Sequence, residues 1–206
     1  MIPAPESLDR LREGNRRFVL GLQSPEPVPS PRQRAQFVDG QQPFAVILGC
    51  SDSRVPVEIV FDQGLGDLFV IRNAGNVVAP SQVGSVEFAV ERFQTRLVVV
   101  MGHSHCGAVA ATIEALEERS SPASPNLNSI VERIRPAVRE LMSTPLRDDP
   151  AALSHHAVRA NVRASANQLR HGSTMLEQMI NDGALMIVGA EYSLETGLVD
   201  FFDGAG

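Results

Sequence analysis

The chain of 206 residues carries 24 acidic against 18 basic side chains, a formal charge of −6, with 43% hydrophobic and 20% charged residues. That composition fits one soluble globular domain whose core needs no disulfide staples. The acidic balance argues against a nucleic-acid-binding surface, and no window approaches the roughly eighteen apolar residues of a membrane span. Met1 to Leu20 lacks the apolar segment of a secretory leader. The expectation is a cytoplasmic protein without membrane or nucleic-acid partners, in which thiols are free, catalytic or metal-bound.

In chain order, 7–22 reads as a helix with Leu8, Leu11, Phe18, Val19 and Leu22 on one broad face. That face is expected to pack on its own domain or on another subunit. "SPEPVPSP" (24–31) holds four prolines in eight residues and is expected to be a connector. A short helix follows over 31–39, so that 1–40 forms an N-terminal helical arm with a proline-rich connector. Three short apolar runs come next, "FAVIL" (44–48), "LFVI" (68–71) and "LVVVM" (97–101). Runs of that length, rich in β-branched residues, are the pattern of strands buried on both faces of a parallel sheet. A fourth, "ALMIVGA" (184–190), is followed closely by "GLVDFF" (197–202), which suits a hairpin partner. Helical patterns fill the gaps over 81–93, 107–119, 126–142 and 150–180, the last broken near His171-Gly172.

The expected fold is α/β, one domain over 1–206. A central, mostly parallel sheet of about four strands plus a C-terminal antiparallel strand is flanked by helices on both faces. In such sheets functional residues collect past the carboxyl ends of the strands.

Two strand ends are built alike. "FAVILGCSDSR" and "LVVVMGHSHCGA" each run from apolar strand through glycine to Cys or His. If the two strands are neighbours, Cys50, Asp52, His103, His105 and Cys106 meet. His103-x-x-Cys106 is a short ligand spacing that lets one turn offer both side chains to one metal, with Cys50 as the distant third ligand. Two thiolates and one imidazole suit Zn²⁺, and three protein ligands leave an open catalytic position. Asp52 can accept a hydrogen bond from water at that position, with Arg54 holding the carboxylate in a fork. Alternatively, Asp52 binds the metal itself and closes the site. Against this stands the plainer reading of a strand-end cysteine as a small hydrophobe and of Asp-x-Arg as a surface ion pair. The coincidence of both cysteines and a histidine at strand termini favours the metal.

"CSDSRVP", then "RNAGN", then "GHSHCGA" closely resembles the β-class carbonic anhydrases, with the match strongest over about 41–108. The resemblance implies one Zn²⁺ per chain on Cys50, His103 and Cys106, and a dyad of Asp52 and Arg54 controlling the fourth position. It implies reversible hydration of CO2 to bicarbonate and a proton by zinc-hydroxide attack. Gln41 matches a family glutamine that reaches the substrate from across a dimer interface, and Gly107 follows the last ligand as in relatives. Val55, Phe69 and Phe88 are candidates for the apolar pocket wall; Phe88 stands where plant-type relatives carry tyrosine. His105 has no ligand role in the family and stays outside the metal set. A homodimer, often paired into a tetramer, is further implied. The bicarbonate-regulated members pair a tryptophan three residues before the first cysteine with the arginine of "RN"; here Arg72 is present, but the other position is Ile47.

Two rivals are weighed beside this reading. Close relatives hydrolyse carbon disulfide or carbonyl sulfide with the same ligands. A non-catalytic thiol or zinc redox module would use Cys50 and Cys106 alone and would give Asp52 no role.

Overall fold

The computed structural model describes residues 2–23, 30–119 and 121–205; most of the proline-rich connector lies outside them. Five strands form one sheet in the order β2-β1-β3-β4-β5: β1 (Ala45–Cys50), β2 (Leu68–Asn73), β3 (Leu97–His103), β4 (Met186–Tyr192) and β5 (Val199–Asp203). The first four are parallel, and β5 returns antiparallel to β4. The central pair β1 and β3 is buried along its whole length, which is why its sequence reads as unbroken apolar runs rather than alternation.

Side chains still alternate in direction, because successive Cβ atoms leave opposite faces of a strand. Val46, Leu48, Val98 and Val100 face one core with α4 (Pro80–Phe93), α7 (Pro150–His171) and α8 (Thr174–Asn181). Ile47, Val99 and Met101 face the other, with Leu8 and Leu11 of α1 (Ala4–Val19), the short helix α3 (Val57–Val60) and the adjacent Phe61. The N-terminal helix thus packs on its own sheet. Asn15 fastens it there: its amide donates to Val60 O at 3.1 Å and Gly197 O at 2.8 Å, and its Oδ1 accepts from Val199 N at 2.9 Å.

Boundaries differ from expectation where local chemistry intervenes. Helix α1 begins earlier because Pro5 sits in its first turn, where no amide is needed, and it ends before Gly21, at φ 67°. The second helix, α2, is only Pro31–Ala35. Helix α5 (Gly107–Leu116) stops where Glu118 turns left-handed at φ 58°, and α6 (Pro125–Arg139) gives way to a 3-10 turn at Leu141–Ser143. Helix α7 ends at the expected break, and Ser173 caps α8 by accepting from Leu176 N.

Helix α7 lies close over β3 because residue 102 is glycine. A Cβ there would stand 2.7 Å from Val162 Cγ2 and 3.0 Å from Val158 Cγ1. A third apolar cluster caps the carboxyl end of the sheet: Val77, Val109, Ile134, Val138, Leu153, Ala157 and Val158 surround Cys50 and Cys106. Both thiols are therefore buried among apolar side chains of α5, α6 and α7.

Candidate metal centre

Strands β1 and β3 are parallel neighbours, with Gly49 opposite Met101, so they deliver Cys50 and the 103–106 loop to the same edge. There the Cys50 and Cys106 sulfurs and a His103 ring nitrogen lie within 4.8 Å of one another, all three residues buried. Cys106 is the residue before the first turn of α5, so its sulfur sits at a helix N-terminus, where negative charge is favoured.

The ring of His103 is fully buried, and its Nδ1 donates to Ser104 O at 2.8 Å. That bond fixes the tautomer and leaves Nε2 as a bare acceptor. Nε2 is buried with no hydrogen-bond partner, although a buried polar atom is normally paired. An orphan imidazole nitrogen facing two sulfurs is a donor set that fits a soft-to-borderline cation.

The two thiols interact directly. Cys50 is pushed down, first by the hydrogen bond from Cys106, then by His103 and the Gly75 amide. Cys106 is pushed up as the donor of that bond and by burial. Burial opposes charge on His103, but the Cys50 sulfur, the Ser104 carbonyl and Asp52 outweigh it and raise its pKa. The cluster already favours negative sulfur at Cys50. Gly75 N lies 3.4 Å from that sulfur. Gly75 holds φ 71°, and a Cβ on it would stand 2.8 Å from Ile134 Cδ1.

Asp52 stands beside the cluster, Oδ2 being 3.9 Å from His103 Nε2. Arg54 engages both carboxylate oxygens, Nε to Oδ1 at 2.9 Å and Nη2 to Oδ2 at 2.7 Å, and its backbone N adds a bond to Oδ1 at 2.9 Å. These bonds, the Arg54 side chain foremost, hold the carboxyl well below the usual carboxylate range. Arg72 braces the same loop through backbone: Nε to Cys50 O at 2.9 Å and Nη2 to Asp52 O at 2.6 Å. Ile47 is fully buried in the core.

The other expected residues are placed elsewhere in the chain. Gln41 lines a cavity of about 610 Å³ with Arg10, Phe44 and Arg96, before the start of β1 and at the opposite end from Cys50. Phe69 pairs in register with Val46, four residues before Cys50, and stacks near Phe88 with ring centroids 6.2 Å apart. Val55 is buried in the core beneath the Asp52 loop. Gly107 opens α5 and is exposed. One chain therefore gathers Cys50, Asp52, Arg54, His103 and Cys106 and leaves Gln41, Phe69 and Phe88 apart from them. His105 turns its ring to Glu195 rather than to the cluster. The bracing roles of Gly75 and Arg72 have no signal in the sequence beyond their place in "RNAGN".

Fold and site define an α/β protein with three buried donors able to hold a metal at the carboxyl edge of its sheet. The carbonic anhydrase family profile matches residues 45–199. The chain is 42% identical to a carbonic anhydrase of Mycolicibacterium smegmatis over 92% of its own length and 89% of that protein's. Among solved structures it resembles the β-carbonic anhydrase CafA of Aspergillus fumigatus, at 28% identity and TM-score 0.73, covering 85% of this chain and 83% of that one. It shares the fold of a tetrameric β-carbonic anhydrase from Sordaria macrospora at 24% identity and TM-score 0.74, covering 84% and 87%. The chain belongs to the β-carbonic anhydrase family. It is accordingly an enzyme of CO2 hydration.

Proposed function

We propose that one Zn²⁺ per chain is held by Cys50, His103 and Cys106, and that Asp52, locked by Arg54, governs the fourth zinc position during the hydration of CO2 to bicarbonate and a proton. The observation that carries this is the buried, partnerless His103 Nε2 facing two buried sulfurs, with the Asp52 carboxylate 3.9 Å away. Zinc bound there supplies a Lewis acid that brings the pKa of water to about 7. Asp52, kept anionic by Arg54, accepts a hydrogen bond from the attacking water and directs a lone pair toward CO2. The fork of Arg54 occupies both carboxylate oxygens, and Asp52 stands outside the three mutually close donors, which supports the open arrangement over one closed by Asp52. Arg72, committed to two backbone carbonyls, and Ile47 at the position where regulated members carry tryptophan support an enzyme without the bicarbonate-regulated site.

The substrate pocket is completed by a second copy of the chain. Gln41, Phe69 and Phe88 lie away from their own cluster, and among the described residues β2 is an edge strand of the sheet. A homodimer, pairing further into a tetramer, brings them to the exposed Gly107 at the partner's site, while Val55 backs the site from within the core. Residues 1–206 act as one domain. Two free cysteines suit a cytoplasmic location, where thiols stay reduced. No helix among the described residues is long and apolar enough to cross a membrane.

Zinc stoichiometry and CO2 hydration of the wild type, Asp52→Ala and Arg54→Ala test the dyad, with CS2 as a control substrate. The expected result is retained zinc with activity down about 10²–10⁴-fold for Asp52→Ala and about 10–100-fold for Arg54→Ala. Full activity in either variant with zinc in place overturns the mechanism. CS2 turnover without CO2 turnover overturns the substrate.

A further inference from the structure

His105 sits between two of the metal donors and holds φ 55°, a left-handed backbone uncommon outside glycine although histidine is among the residues enriched there. The loop is also held from outside, by the turn between β4 and β5. Glu195 Oε1 accepts from His105 Nε2 at 2.6 Å, and Oε2 accepts from Ser104 Oγ at 2.8 Å and Ser193 Oγ at 3.0 Å. Ser104 Oγ accepts in turn from Leu194 N at 2.9 Å, and Ser104 N donates to Tyr192 O at 2.9 Å. Ser104 and His105, the link between His103 and Cys106, are thus laced to the hairpin. The lacing continues inward, since Arg54 Nη2 donates to His105 O at 3.3 Å.

We propose that Glu195 is a positioning residue for the metal centre: it sets the Ser104–His105 link between His103 and Cys106 and, through the His105 carbonyl, the seat of Arg54. Glu195 touches no metal donor and acts only through the loop. The proposal rests on reading Cys50, His103 and Cys106 as the zinc set. An ordinary surface ion pair is the competing account, because His105 and Glu195 are 70% and 53% exposed and such pairs contribute little. Two serine hydroxyls converging on the same carboxylate distinguish this arrangement from a lone pair of charges.

The test uses full-length holoenzyme with Glu195→Ala and Glu195→Gln, reading zinc affinity by chelator competition, the visible spectrum of the cobalt-substituted protein, and kcat for CO2 hydration. Groups that orient metal ligands cost about 10–100-fold in affinity or activity when removed. Glu195→Ala is expected to lose that much in zinc affinity or kcat and to shift the cobalt spectrum. Glu195→Gln, which still accepts from both serines, is expected to recover most of the loss. Wild-type affinity, kcat and spectrum in Glu195→Ala overturn the proposal, even if its melting temperature falls. Should Glu195→Ala fail to fold, wild-type values in Ser104→Ala and Ser193→Ala together overturn it instead. A wild type that takes up no zinc overturns the metal reading and the proposal together. A zinc-loaded, active wild type with unaltered variants overturns the proposal alone.

Discussion

The two loops that carry the metal donors are held in opposite ways. The Cys50 loop is gripped from inside the fold: Gly75 N lies against its sulfur, and Arg72 from the neighbouring strand holds its carbonyls. The 103–106 loop is gripped from outside, by a hairpin far along the chain, through exposed hydroxyl and carboxylate groups. The difference teaches that a metal site at a strand edge can have one rigid jaw, set by the sheet itself, and one adjustable jaw. Side chains at distant positions set that second jaw.

The hardest blow to the inner jaw is Gly75→Ala. Its Cβ would meet Ile134 Cδ1 at 2.8 Å and Ala108 Cβ at 2.9 Å on a backbone at φ 71°. A stability loss of roughly 2–4 kcal/mol is expected, from overpacking and backbone strain together. Urea midpoints measure it, and an unchanged midpoint would show that the inner jaw yields as readily as the outer. Arg72→Ala comes next, with CO2 hydration down about 10–100-fold as the carbonyls of Cys50 and Asp52 lose their brace. Arg72→Lys should restore only part, because an ammonium cannot span two acceptors as a planar guanidinium does.

The smallest effect concerns the outer jaw and pH. The Ser104 hydroxyl, followed by the Glu195 backbone and Ser193, holds the Glu195 carboxyl at about 2, below the ordinary 4.5. A depressed carboxyl stabilises the fold fully above its ordinary value, and that contribution is lost as pH falls toward the folded value. The difference in urea midpoint between wild type and Glu195→Gln should be flat above pH 5 and shrink between pH 4.5 and 2. A difference that instead grows on acidification would break the assignment.

The same contrast explains what could be read from the residues alone. Strands β1 and β3 announce themselves because burial on both faces leaves no polar alternation to confuse the pattern. Their glycine-terminated ends place Cys50, His103 and Cys106 together once parallel pairing is assumed, with Asp52 and Arg54 close enough in sequence to serve the fourth position. The family resemblance selects this reading over the plainer ones. The inner jaw is half visible, since Arg72 and Gly75 lie in a recognisable stretch whose contacts are not. The outer jaw is invisible. Glu195 stands 90 residues from His105 and 91 from Ser104, and a turn carries no periodic signature to link them. Gln41, Phe69 and Phe88 are legible from the family resemblance alone. In a single chain they lie apart from the metal donors, as the expected reach of Gln41 across a dimer interface requires.

Cys50 and His103 are the final residues of strands β1 and β3, each buried from end to end. Small zinc modules gather their ligands only as they fold around the ion, so stripping the metal unfolds them. Here two of the three donors end fully buried core strands, the kind of segment that opens last, while Cys106 precedes α5. Apo and loaded protein should therefore show the same slow amide exchange along β1 and β3, with differences confined to 104–107. Equal exchange along β1 and β3 with and without metal would show that the fold does not depend on the ion.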